Sequence, residues 1–190
     1  SVEASIETAR ARRYQLKEGI KFRWYIADLN IGRLKFNIPL NTKENFIFGV
    51  ETERAHMDTQ DQYNAYDFKV SSSSSFYSYT NNTIKNLFID GSFRSNHHDL
   101  FGLSTTYRVA ASYIISDSGF RLHSSYGTGY RAPTLDELFG SYGSINVEEE
   151  YSRSRDIGIE YSSLKKNFVT DLTFFSTQID SLIGSGPAPG

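Results

Sequence analysis

The amino-acid sequence predicts an all-β fold: an antiparallel up-and-down transmembrane β-barrel, incomplete, with about nine strands of a larger barrel. Three observations carry this expectation. Apolar and polar side chains alternate along most of the 190 residues, and a period of two sends successive strand residues to opposite faces. Several alternating segments run roughly 11–13 residues, beyond the usual soluble strand of about 5–6 and near the roughly 9–11 that cross a membrane at a tilt. The polar face of these segments carries Arg94, Arg108, Arg121, His123, Asp156, Glu160 and Asp171. Such residues almost never bury unpaired in a packed core, whereas a wet lumen accepts them. A soluble sandwich or lipocalin-like barrel alternates too, but it fits neither the strand length nor the charged second face.

Taken from the N-terminus, Ile20, Phe22, Trp24 and Ile26 oppose Lys21 and Arg23. Residues 33–40 and 45–54 are expected to form a hairpin about Asn41-Thr42-Lys43-Glu44, with Phe46, Phe48 and Val50 opposite Gly49, Glu51 and Glu53. The serine run from Ser71 to Ser75 is the weakest strand, and its outward face is expected to hold Ser72 and Ser74. Leu87, Ile89, Gly91 and Phe93 then oppose Asn86, Asp90, Ser92 and Arg94. The clearest strand has Leu103, Tyr107, Val109, Ala111, Tyr113 and Ile115 on one face, and Ser104, Thr106, Arg108 and Ser112 on the other. Ser116-Asp117-Ser118-Gly119 supplies turn residues, with Asp early and Gly last as a tight turn prefers. It joins a partner strand with Phe120, Leu122, Tyr126 and Tyr130 opposite Arg121, His123, Gly127, Gly129 and Arg131. Two further strands follow, one with Ile157, Ile159 and Tyr161 outward, the other with Phe168, Thr170, Leu172 and Phe174 outward.

Connection lengths are expected to alternate. Short turns fall at Asn81-Asn82, Asp117-Ser118 and Lys165-Lys166-Asn167, and longer polar segments at 55–67, 96–100 and 132–150. Outer-membrane barrels show this asymmetry between short periplasmic turns and long outer loops.

Composition narrows the function. The apolar fraction of 38% and mean hydropathy of −0.45 exclude a helical membrane protein, since no run of about 18 apolar residues exists. They leave a barrel open, because only alternate strand residues meet lipid. A net charge of −2 offers no basic stripe for nucleic acid. The absence of cysteine removes disulfides, thiol catalysis and zinc-finger chemistry. His97 and His98 point to opposite faces if they lie on a strand, and Asp99 alone does not complete a metal site. Glu148, Glu149 and Glu150, with Asp136 and Glu137, read as a solvated acidic loop in preference to a calcium site. No Gly-x-Ser-x-Gly elbow is present, and Asn81-Asn82-Thr83 reads as turn chemistry. The expectation is therefore no metal, no cofactor and no enzyme.

Three consecutive segments resemble one family. Ser125-Tyr126-Gly127-Thr128-Gly129-Tyr130-Arg131-Ala132-Pro133-Thr134-Leu135 is similar to the barrel segment of TonB-dependent receptors, in which a strand ends in Tyr/Phe-(Arg/Lys)-Ala-Pro-x-Leu and opens a long outer loop. Asn146-Val147-Glu148-Glu149-Glu150-Tyr151-Ser152, followed by Asp156-Ile157-Gly158-Ile159-Glu160-Tyr161, resembles the family's next strand entry. Glu149 stands where Pro is usual there, and Asp156 where Glu is usual. Upstream, Gly91 to Gly102 resembles the family's strand-loop-strand element. The cobalamin-receptor branch gives the nearest match.

The resemblance implies an active-transport receptor of the bacterial outer membrane that takes up cobalamin or a ferric siderophore. Its implied partners are outer-membrane lipid, a plug domain and the TonB complex, the last two reached through parts outside this chain. A passive porin or structural barrel is the alternative. Residues 1–183 are expected to be a partial barrel domain of a plugged 22-stranded transporter, and residues 184–190 a truncated loop or linker. Leu135, Leu138, Phe139 and Tyr142, three or four apart, suit a short helical turn over the barrel mouth. Arg131, Asp136, Glu137, Tyr142 and Asn146 are the candidate substrate-binding residues there, and Arg108, Arg121, His123 and Asp156 are expected to face the lumen.

Overall fold

Each alternating segment becomes a strand paired with its neighbours in sequence. The computed structural model describes residues 1–18, 20–60, 65–140, 143–163 and 168–184. Its elements are β1 (Val2–Lys17), β2 (Ile20–Pro39), β3 (Glu44–Gln60), β4 (Ala65–Asn81), β5 (Leu87–His98), β6 (Gly102–Ile114), β7 (Phe120–Arg131), α1 (Leu135–Phe139), β8 (Glu150–Ser162) and β9 (Val169–Asp180). The strands form one antiparallel sheet in sequence order from β1 to β9, and the sheet is open, with β1 and β9 as its edges.

The register fixes two faces. The rung that joins Ser92, Arg108, Gly127 and Ser154 across β5 to β8 places Arg94, Arg121, His123, Asp156 and Glu160 on one face. Tyr107, Val109, Tyr113, Leu122, Ile157 and Ile159 take the other. The helix α1 lies over the first face, called inner below. Among the described residues the buried apolar side chains are Met57, Pro133, Leu135 and Leu138, all beneath, on or beside that helix. The sheet itself therefore has no packed core. Its outer face leaves Val109 53%, Ile157 64% and Phe174 69% exposed, an apolar surface far too extensive for a monomer in water and suited to lipid. Phe36 and Phe48 stack on it at 4.6 Å, and Phe120 meets Tyr161 at 4.9 Å.

The inner face satisfies its charges laterally. Glu51, 9% exposed, accepts from Arg33 at 2.6 Å and is also paired with Arg94. Lys35 meets Glu3 at 2.6 Å, Arg121 meets Glu160 at 2.6 Å, and His123 Nε2 lies 2.8 Å from Asp171. Gly158 makes the last contact possible, because a Cβ there would sit 2.5 Å from the His123 ring. Gly127 and Gly129 also stand on the inner face, and the chain itself fills the space over them. A Cβ at Gly127 would meet the Arg108 stem at 3.4 Å, and one at Gly129 the Ser152 hydroxyl at 2.5 Å.

Three expectations need correction, two about connections and one about a strand face. Residues 55–67 are largely strand, with the β3–β4 ladder continuing to the pair Gln60 and Ala65. Residues 96–98 belong to β5, which leaves 99–101 as the link to β6. There the Ser71 N–H donates to the Asp99 carboxylate at 2.8 Å and the Asp99 N–H returns a bond to the Ser71 carbonyl at 3.0 Å. The expected alternation of long and short connections thus survives only at 132–149. The physical reason lies on the outer face, where the apolar band gives way to Arg10, Asp28, His56, Asp67 and Lys69. His56 Nε2 sits 2.9 Å from Asp67 and Lys69 Nζ 3.7 Å from it. There the charged residues lie outward and Ala55, Met57, Phe68 and Val70 inward, so the ladder continues with the pattern of the other strands reversed. Third, the β4–β5 pairing of Ser74 with Asn96 and of Ser72 with His98 puts Ser72 and Ser74 on the inner face, not the outer.

The turns agree better. The 40–43 connection closes β2 onto β3 as expected. In the 115–119 turn, Asp117 (φ 57°) and Gly119 (φ 76°) take left-handed backbone, which Asp tolerates and Gly favours. The turn expected at 165–167 and the tail from 185 onward lie outside the described residues.

Candidate functional site

The connection 132–149 is built from its own sequence upward. Pro133, lacking an N–H, ends the β7 ladder just past Arg131, and its side chain is buried. Thr134 then caps α1 in a capping box: its Oγ1 accepts from the Glu137 N–H at 3.2 Å, while its own N–H donates to the Glu137 carboxylate at 2.7 Å. The spacing of Leu135, Leu138 and Phe139 turns three apolar groups down onto the sheet. Leu135 and Leu138 are buried, and Phe139 stacks on Phe68 with ring centres 3.9 Å apart. A five-residue helix is too short to be stable alone. Its seat holds it.

Two carboxylates tie the loop to the strand ends. Arg131, paired in register with Glu150, reaches Glu137 through one guanidinium nitrogen and Glu150 through another, the latter at 3.6 Å. Glu150 also accepts from the Ile183 N–H at 2.6 Å. Burial pushes the Glu137 carboxyl up, but the Thr134 N–H, the Arg131 guanidinium and the Thr134 hydroxyl outweigh it and hold it below the usual carboxylate range.

Of the candidate substrate-binding residues, Arg131, Asp136 and Glu137 come together at the end of β7. Arg131 and Glu137 are engaged with each other, while Asp136 is exposed on the first turn of α1. Asn146 is exposed farther along the loop, its N–H bonded to the Ser144 hydroxyl at 3.3 Å. Tyr142 lies outside the described residues. Arg108, Arg121, His123 and Asp156 share the inner face: Arg121 is ion-paired with Glu160, His123 Nε2 lies within hydrogen-bonding distance of Asp171, and Asp156 accepts from the Ser125 hydroxyl. Sequence reasoning missed Met57 and Phe68, the seat of the helix. Met57 falls within 55–67 and Phe68 directly after it, and two large apolar residues in a stretch otherwise so polar were the available signal.

A family model described as TonB dependent receptor-like, beta-barrel matches residues 4–190. The chain belongs to this family. Among solved structures it is similar to a mutant of the ferric enterobactin receptor PfeA from Pseudomonas aeruginosa in complex with enterobactin, with a TM-score of 0.75, 17% identity and 99% of this chain covered. It is similar also to the FrpB iron transporter from Neisseria meningitidis, with a TM-score of 0.75, 12% identity and 94% coverage. A third likeness is to the siderophore receptor PirA from Pseudomonas aeruginosa, with a TM-score of 0.66, 17% identity and 94% coverage. The chain spans 34%, 33% and 39% of these structures respectively, about a third of their length. At such identities the likeness is one of fold. The TonB-dependent receptor barrel expected from the sequence is the fold observed.

Proposed function

We propose that this chain forms wall and outer-loop structure of a bacterial outer-membrane receptor that captures a scarce nutrient, a ferric siderophore or cobalamin, and imports it with energy delivered through the TonB complex. The family match over residues 4–190 carries the reading. Three features of the molecule support it. The outer face suits lipid, the inner face is charged and internally paired, and α1 folds inward over that inner face. In this reading Arg108, Arg121, His123 and Asp156 line the lumen, and Arg131, Asp136, Glu137, Tyr142 and Asn146 stand at its mouth. The coupling partners, a plug and the TonB complex, act through other parts of the receptor.

The test is uptake by cells that depend on this receptor. Strains with the gene disrupted, complemented, or complemented with 134–146 deleted are given radiolabelled ferric siderophore or cyanocobalamin under limitation of each. Uptake of one of them that requires the gene and an energised inner membrane is the expected result. Uptake indifferent to the membrane gradient would instead fit a passive pore. Unchanged affinity and uptake in the loop deletion, with the barrel assembled, would remove the loop from the binding site.

A further inference from the structure

The outer face of β1 to β5 changes in three steps toward the end that carries the 132–149 connection, the outer end of the barrel in the reading above. First comes a rung of large rings, Phe36, Phe48, Tyr77 and Phe93. Small side chains and hydroxyls then take over, with Ser75 beside Ser95 in one rung and Gly32, Thr52 and Ser73 in the next. Beyond them the rung is Thr8, Asn30, Arg54 and Ser71, followed by Arg10, Asp28, His56 and Lys69. The same boundary recurs on β8, where Ile159 and Ile157 give way to Arg155 and Arg153 on the outer face.

The small side chains leave a hollow. A trough of about 730 Å³ crosses the outer face from Ile6 on β1 to Leu103 on β6, floored by Gly32, Thr52, Ser73 and Ser95. Five strand spacings of about 4.8 Å make it roughly 24 Å wide, room for several acyl chains side by side. Directly beyond it lies a smaller hollow of about 310 Å³, lined by Thr8, Asn30, Arg54, Lys69 and Ser71. Both hollows are on the face opposite α1, the side that meets lipid.

Charge decides what fits them. Arg54 is exposed, its register neighbours Asn30 and Ser71 are neutral, and it makes no ion pair among the described residues. Lys69 stands one rung farther on the adjacent strand, its side chain 72% exposed and its Nζ 3.7 Å from Asp67. The nearest carboxylates are engaged, Asp28 by Arg10 and Asp67 by His56, and Asp58 lies two rungs beyond Arg54, farther from the trough. An arginine is costly at the bilayer centre and nearly free at its surface, so Arg54 marks the level of the headgroups.

We infer that this strip of the outer face seats a phosphate-bearing lipid of the outer leaflet, its acyl chains in the trough and its phosphate at Arg54 and Lys69. The order of groups along the strands is their order in such a lipid. Chains meet the rings and small residues, and carbonyl linkages fall beside the hydroxyls of Thr52, Ser73 and Ser95, which donate to them. The phosphate reaches a guanidinium whose fork matches its oxygens. A lipid without an anionic group would leave Arg54 unpaired. A second copy of the receptor fits poorly, because copies share one orientation in a membrane and a two-fold partner would bring the same cations against this belt. The inference rests on the outer-membrane reading for its lipid, and binding can be measured apart from uptake.

The full-length receptor, stripped of lipid in detergent, is titrated with bisphosphorylated lipid A and with the same lipid after removal of its phosphates, and native mass spectrometry counts the bound molecules. Saturable binding of the phosphorylated form is expected, about tenfold or more tighter than that of the dephosphorylated form, the scale of a hydrogen bond to a charged group. Arg54→Gln should lose about tenfold in affinity for the phosphorylated form, and Arg54→Lys should keep most of it. Ser73→Trp fills the trough and should weaken both forms, whereas Lys85→Gln, at the opposite rim of the sheet, should change neither. Circular dichroism confirms the β-sheet of each variant. Equal binding of the two forms, affinity unchanged by Arg54→Gln or by Ser73→Trp, or an equal loss in Lys85→Gln overturns the inference. Lipid-free dimers that Ser73→Trp dissociates would overturn it in favour of a second copy. Nutrient uptake without phosphate preference overturns this site alone. Phosphate-selective binding without uptake supports the site and overturns the transport role.

Discussion

Glu137 holds the Thr134 N–H, the Thr134 hydroxyl and the Arg131 guanidinium together, so its ionisation governs whether the loop stays docked. Its carboxyl is held below the ordinary value of 4.5, so the docked form binds the proton less readily than the released one. The stabilisation is fully present above that value, begins to fall as pH drops below it, and is gone only below the docked-state value. Docking should therefore be unchanged from pH 7 to pH 5 and weaken on further acidification, as a fluorophore on Asn146 would report. Glu137→Gln should flatten that profile; a profile unchanged in the variant would contradict the assignment. Val109 makes the complementary case on the outer face. Val109→Arg should cost about 2–4 kcal/mol in denaturant unfolding from bilayers, and Ser112→Arg, on the inner face, far less. Equal costs would mean that the two faces are not distinguished by their solvent.

At the scale of elements, α1 depends on its seat more than on its own hydrogen bonds. Leu138→Ala should cost about 2–5 kcal/mol of docking, more than the roughly 1 kcal/mol lost with the Thr134 cap in Thr134→Ala. The readout is proteolytic nicking at 143–147, which should rise steeply in Leu138→Ala while the barrel still assembles. No change in nicking would show that the loop is held elsewhere. The helix was legible in the sequence because Leu135, Leu138 and Phe139 repeat at helical spacing. Its seat was not. Met57 and Phe68 sit where the strands have left the apolar band, with charged residues on the outer face and apolar ones on the inner, a reversal of the pattern that marks the other strands. The same reversal hid the upper ladder of β3 and β4. In the serine run no side chain is apolar enough to reveal its face, and pairing with β5 decided it.

For the whole molecule, strand number, order and the two faces of β5 to β8 were readable, since each depends on alternation that lipid on one side and charge on the other enforce. The filling of Gly127 and Gly129 by Arg108 and Ser152 was not, because it depends on cross-strand neighbours. The sheet presents two open edges, at β1 and β9, and unpaired edges template association. The 190-residue segment on its own should therefore associate in the absence of detergent. A sharp monomer peak with cooperative unfolding would contradict an open, lipid-suited sheet. The central claim, a wall with lipid on one face and water on the other, is tested most directly by spin labels placed singly at each position from 107 to 113 in the full-length receptor in bilayers. The cysteine-free sequence makes each label unique within this chain. Labels at Tyr107, Val109, Ala111 and Tyr113 should be accessible to oxygen in lipid, and those at Arg108, Ala110 and Ser112 to a water-soluble relaxant. Accessibility that is uniform along the strand, or that repeats every three to four residues, would contradict the account.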